Sequence, residues 1–285
     1  MADVAQTRQP ARESIAALGF GSGAGQLAIE SCQECDPARP WAPVQLVDGR
    51  VLIADTANGR WVVIESSPSN IGSDPASLRT SEVPWPDGVN VGAQPIVDDA
   101  GTVYTMMYGR LGAGGKQAAQ LWVLDPSDLA TPMSTHPATS IIGLRIELTL
   151  TQVIVDGTVI DGLTPVIDAR PTVEYIAADP LPSSGGTRLR VVWGGVTTTF
   201  EYASNETPSY FGPMPALADG SVMAYVNVAG REFVDRLTPD GQAHRMELPP
   251  VGSVFGSGSI DLGGFLRLEI SDDQTQWNLV HYDLP

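Results

Sequence analysis

Lysine is almost missing from this chain, with Lys116 alone against fifteen arginines, a bias that reads as GC-rich coding. Basic charge is scarce altogether. Sixteen Lys and Arg face 33 Asp and Glu, a net charge of −17. Nucleic acid rewards basic stripes, so it is excluded as a partner, as are anionic membrane surfaces. No apolar run approaches the roughly 18 residues of a membrane-spanning helix, so no membrane insertion is expected. Helical periodicity is nearly absent as well. Only the stretch from Ala11 to Leu18 offers a helical turn or two, and an edge strand fits it equally well.

Cysteine occurs twice, as Cys32-Gln-Glu-Cys35. A zinc site would need two more ligands nearby, and His136, His244 and His281 are distant in sequence. A thioredoxin-like redox pair would need a βαβ setting. A local disulfide between Cys32 and Cys35, or an inert thiol pair, is the expectation, and the oxidised pair would imply an extracytoplasmic, secreted life. The first residues are polar and do not form a secretory signal. The expectation is therefore a leader removed from the mature chain, with a cytoplasmic or virion-associated protein as the alternative.

What is abundant is punctuation. Thirty Gly and 23 Pro interrupt β-branched runs every few residues, the pattern of many short strands. One signature recurs. A Pro opens a short apolar strand, an Asp- or Gly-bearing turn follows, and a second strand leads away. It appears at Trp41-Ala-Pro43 to Asp48-Gly49, Gln94-Pro95 to Gly101, Thr164-Pro165 to Asp168 and Phe211-Gly-Pro213 to Asp219-Gly220. A weaker copy runs from Phe255 to Asp261.

Strand-and-turn repeats of this size predict an all-β fold, a β-propeller of four-stranded blades. As a single domain over 1–285, blades are expected at 43–90, 91–137, 165–207, 211–250 and 255–285. The stretch 138–164 is an insertion or a sixth blade, and 19–42 is a Gly-rich, Cys-bearing loop. The last blade ends one strand short. Residues 1–18 are predicted to supply that outer strand and close the ring, hiding edges that would otherwise template aggregation.

Gly19-Phe-Gly-Ser-Gly-Ala-Gly-Gln-Leu, then Pro43, Asp48-Gly49 and Val51-Leu-Ile-Ala-Asp55-Thr-Ala-Asn58-Gly-Arg60, resembles the NHL repeat. The likeness covers about one repeat. It implies a propeller related to six-bladed gluconolactonase-like and lyase-like enzymes, in which a metal can occupy the central channel.

Two readings of Asp55, Asn58 and Arg60 follow. Asp55 is either a metal or substrate ligand, or an acceptor for turn amides paired with Arg60. Residues just before each Pro should ring one mouth of the channel. They are Trp41, Asn90 with Gln94, Thr164, Tyr210 with Phe211, and Phe255, suited to a sugar, a flat small molecule or a partner protein. Wedging between blades is the competing use of the aromatics. Asp98-Asp99 and Asp272-Asp273 pair carboxylates in turns, where solvated Asp is ordinary. Nucleophile-elbow, zinc-helix and phosphate-loop motifs are absent.

The leading expectation is a non-enzymatic interaction or ligand-binding propeller with no cofactor. One alternative is a lactonase- or lyase-like hydrolase holding Ca²⁺ or a similar hard ion on oxygen ligands. A structural subunit of a virion or surface appendage is another.

Overall fold

Runs such as Val51-Leu-Ile-Ala and Trp61-Val-Val-Ile are apolar at every position, so their strands have no solvent face. Each must be covered on both sides by another sheet, and the computed structural model shows this. It describes residues 5–8, 12–28, 40, 43–65, 79–138, 146–149, 151–167, 173–180, 185–210, 217, 219–248, 258–260, 264–271, 273 and 275–283. Among these there is no helix.

In chain order, β1 is Ala5–Arg8, β2 Arg12–Phe20, β3 Gln26–Leu27, β4 Val44–Gln45, β5 Val51–Asp55, β6 Arg60–Glu65 and β7 Arg79–Pro84. Next come β8 Val89–Val91, β9 Ile96–Val97, β10 Val103–Gly112, β11 Lys116–Asp125, β12 Asp128–Pro137, β13 Ile146–Leu148, β14 Val153–Val155 and β15 Thr158–Val159. The remainder are β16 Val173–Pro180, β17 Thr187–Trp193, β18 Val196–Tyr202, β19 Glu206–Tyr210, β20 Val222–Val228, β21 Arg231–Leu237, β22 Ala243–Glu247, β23 Gly258–Ile260, β24 Gly264–Ile270 and β25 Gln276–Asp283.

The described strands form six sheets: β4-β5-β6-β7, β12-β11-β10-β8 with β9 also on β10, β13-β14-β15, β16-β17-β18, β1-β22-β21-β20-β19 and β23-β24-β25-β2-β3. The chain divides into two compact units. Unit 1 holds Met1–Ala11, Ile167–Pro250 and Asp283–Pro285; unit 2 holds Arg12–Val166 and Val251–Tyr282.

In unit 2, the β4–β7 sheet lies between two others. Leu52, Ala54, Trp61 and Val63 pack with Val103, Met107, Trp122 and Leu124 of the β8–β12 sheet. The alternate residues Val51, Ile53, Val62 and Ile64 pack with Leu18, Leu266, Leu268, Trp277 and Leu279 of the β23–β25 sheet. A period of two thus sends successive side chains into different cores. In unit 1, Leu189, Val191 and Trp193 of β17 meet Val222, Ala224 and Val226 of β20 in a third core.

The segment from Ala11 to Leu18 resolves as strand from Arg12 onward. β2 runs antiparallel to β25, with Arg12 opposite Tyr282 and Gly19 opposite Gln276, so early residues do complete the C-terminal sheet. β1 departs from that expectation: it pairs in parallel with β22. Residues 131–137 belong to β12, the outer strand on β11.

The recurring turn has one hydrogen-bond pattern. Leu46 N–H donates to Arg50 O and Gly49 N–H to Leu46 O, and the same pair of bonds joins Asp98, Thr102 and Gly101, then Leu217, Ser221 and Gly220. The closing Gly has φ of 87° at Gly49, 91° at Gly101 and 84° at Gly220, a region costly to a residue bearing Cβ. Thr238 to Gln242 repeats the pattern between β21 and β22.

The buried Leu18 supplies a direct check on the β2–β25 pairing. Leu18→Ala should destabilise the protein by about 2–5 kcal/mol, read from urea unfolding. A surface-like effect under about 0.5 kcal/mol would remove β2 from the core of the C-terminal sheet.

Candidate functional site

Asp55 closes β5 and Arg60 opens β6, so the two face each other across the hairpin. Asp55 is fully buried, and its Oδ2 accepts Arg60 Nε at 3.0 Å and Asn58 Nδ2 at 2.7 Å. Oδ1 accepts the amide of Ala28 at 3.2 Å. Arg60 Nη1 donates to Ser22 O and to Glu82 Oε2, and Nη2 to Gln26 O and Gly23 O. Asn58 Nδ2 also donates to Gly21 O at 3.0 Å. The Gly-rich lead and the Asp55-Thr-Ala-Asn58-Gly-Arg60 segment are thereby two halves of one clamp. Asp55 thus accepts three bonds from protein donors.

Asp98 is the second buried carboxylate, at 2% exposure, which corrects the expectation of a solvated turn residue. Oδ1 accepts the amides of Ala100 at 3.1 Å and Thr102 at 2.8 Å; Oδ2 accepts Tyr104 Oη at 3.1 Å and the amide of Val166 at 2.9 Å. Burial, then the charge of Asp98, pushes the Tyr104 phenol well above its usual range. Asp273 of the other predicted pair is exposed and bonds Ser271 and Thr275; Asp272 lies outside the described residues.

The bond from Val166 has a partner, since Asp99 N–H donates to Val166 O at 2.8 Å. The Thr164-Pro165-Val166 segment is therefore stitched to the 98–102 turn. On the other flank, Gly101 has no room for a side chain, because a Cβ there would lie 2.7 Å from Val47 Cγ2. Val47 and Val166 are nevertheless 48% and 52% exposed. Beside Val47, Arg50 bonds Asp48 at 2.7 Å and Pro126 O at 3.0 Å. Two exposed valines thus lie beside the acidic 98–102 turn, all within unit 2.

In unit 1, Arg245 makes a two-pronged bond to Asp235, at 2.7 and 2.8 Å, and reaches Glu206 at 2.5 Å. Its guanidinium and that of Arg231 each lie 5.3 Å from the Phe233 ring. The bond to Asp235 holds the Arg245 pKa above its usual value. Burial alone would raise the Asp219 carboxyl, yet the Ser221 hydroxyl and amide and the Arg236 guanidinium bring it down to about 2.

Of the predicted rim residues, Asn90 is half-buried in β8, its Oδ1 accepting the Val91 amide. Gln94 is half-buried and Thr164 exposed, two residues before Val166. Tyr210 ends β19 opposite Ala224 in unit 1. Trp41, Phe211, Phe255, Cys32 and Cys35 lie outside the described residues. Of the described rim positions, Thr164 is the one that falls beside the Val47–Val166 face. Sequence reasoning missed that face because Val47 and Val166 read as ordinary strand residues. Among the described residues, no three His, Cys, Asp or Glu side chains gather as a metal site.

No family model matches the chain, and no curated protein does. Loose overlaps exist with solved structures. One is a glucose dehydrogenase, 10% identical, covering 97% of this chain and 100% of that one at a TM-score of 0.45. Another is a putative gluconolactonase, 13% identical over 95% and 98% of the two chains at 0.32. A luciferin-regenerating enzyme is 11% identical over 96% and 95% at 0.30. Overlaps this loose say nothing about chemistry.

Two outcomes check the clamp and the acid response. Arg60→Met strands the buried Asp55 carboxylate and should cost about 3–5 kcal/mol, with Arg60→Lys recovering little because it lacks the planar fork. Full recovery by Lys in urea unfolding would contradict this. Asp219, with its pKa lowered, contributes stability that is complete above about pH 4 and is lost as pH falls towards 2. Arg236→Met should therefore flatten the stability loss over that window, and an unchanged acid profile would remove Asp219 from it.

Proposed function

We propose that this chain is a β-propeller whose 46–50 and 98–102 turns, with Thr164 and Val166, form a ligand-receiving face. Support for the propeller comes from the β4–β7 sheet, covered on both faces by other sheets, and from β2 completing the sheet of β23–β25. The observation that carries the binding reading is the exposure of both Val47 and Val166 beside the 98–102 turn. Apolar side chains cost solvation when left in water, and the carboxylates of the adjoining turns favour a ligand with an apolar body and a positive or hydrogen-bond-donating head. The strongly acidic chain would draw such a ligand in. The predicted rim set shares Thr164 with this face.

The test is a thermal-shift and calorimetric screen of alkyl- and arylammonium ions. Val166→Ser and Asp99→Asn serve as the variants, since neither removes the donors that hold Asp98. Binding to the unaltered protein, weakened at least about tenfold by either change, or about 1.4 kcal/mol, supports the face. Binding unaffected by both changes, or none at all, overturns it. The competing hydrolase is tested on the same preparation. A Ca²⁺-dependent thermal shift with lactone turnover that ignores Val166→Ser would replace the binding reading with a lactonase-like one.

A further inference from the structure

β1 is a strand that its sheet does not need. β19 to β22 already make a four-stranded antiparallel sheet, the same size as the β4–β7 sheet, whose outer strand carries no such addition among the described residues. β1 adds four residues in parallel to the outer edge of β22, with Ala5 opposite His244 and Arg8 opposite Met246 and a register irregularity between them. Parallel pairing is the weaker kind per residue, and so short a strand makes few bonds.

The chain beyond is fixed much more firmly. β2 follows after three residues and pairs along its length with β25, burying Ala16 and Leu18. β1 belongs to unit 1 and β2 to unit 2. A weakly held strand joined by a short connection to a firmly held one is the arrangement from which identical elements exchange between copies. Exchange leaves every bond of the closed form intact and merely moves it between molecules.

We infer that the outer edge of β22 is an interaction surface for a second copy of this chain, occupied by that copy's β1 in reciprocal exchange. The closed and exchanged forms share their contacts, so concentration decides between them. At low concentration the chain's own β1 wins through its high effective concentration. The partner is specified by backbone pairing at the β22 edge, since edges present a row of unpaired donors and acceptors when uncovered.

A mixing experiment tests this on the full chain in a Cys32→Ser, Cys35→Ser background. One copy carries Ala5→Cys and a differently sized copy carries His244→Cys, so neither can link internally across the β1–β22 pair. The copies are concentrated together, oxidised and resolved without reductant. A mixed disulfide-linked dimer is expected, at least about tenfold above a control pairing Ala5→Cys with Thr238→Cys, and rising with concentration. A double variant with both cysteines in one chain should link internally, showing that the substituted protein folds. Once linked before concentration, it should stay monomeric in size-exclusion chromatography. Mixed linkage no greater than the control at the highest concentration overturns the exchange, and so does concentration-dependent dimer formation by the internally linked chain.

Discussion

A single buried guanidinium holds unit 2 together at the point where early and later parts of the chain meet. Arg60 has five N–H groups in a rigid fork, and its nitrogens bond two carboxylates and three carbonyls. Those carbonyls come from Ser22 and Gly23, in the loop that leads from β2 into β3, and from Gln26, which opens β3. The loop has little apolar surface of its own, so polar bonds to Arg60 and Asn58 fix its path. Gly21, at φ 141°, lets the backbone come close enough for this, since a Cβ there would meet Gln26 Oε1 at 2.3 Å.

The same logic recurs with different partners. Asp98 is held by hydrogen bonds, with amides and a phenol converging on it, as a buried polar group requires. Asp235 takes the two-pronged Arg245 instead, with Phe233 beneath the cation. Each buried acid anchors a junction between strands or turns. These three acids are thereby tied into the junctions they occupy.

Much of this architecture was legible in the chain. Strand-and-turn punctuation pointed to many short strands, and Asp48-Gly49 and Asp219-Gly220 announced their turns through the positive φ that Gly tolerates. The need for an outer strand at the C-terminal sheet pointed to residues 1–18, of which those from Arg12 onward pair with β25. Other features were not legible for definite reasons. The partners of Arg60 are mostly backbone carbonyls, which leave no side-chain signature. Asp98 looked solvated because its burial depends on Val166, 68 residues later. The inner edge of β10 is shared by β8 and β9 on either side of Gly92-Ala93-Gln94-Pro95, and a break of that kind reads as a single loop. β1 could not be read at all, because a parallel edge strand needs no periodic pattern of its own.

The pairing of β2 with β25 bears on how the protein comes into being. A ribosome delivers residues 12–20 first and their partner last, so the apolar side of β2 waits without a mate through most of synthesis. The strand and the Gly-rich loop behind it can be caught early by Arg60 and Asp55, which emerge soon afterwards. Final docking must wait for Trp277 and Leu279. Vectorial synthesis thus makes completion of this sheet a late event that depends on long-range contacts, and an interrupted chain would leave Leu18 and Phe20 for chaperones to guard.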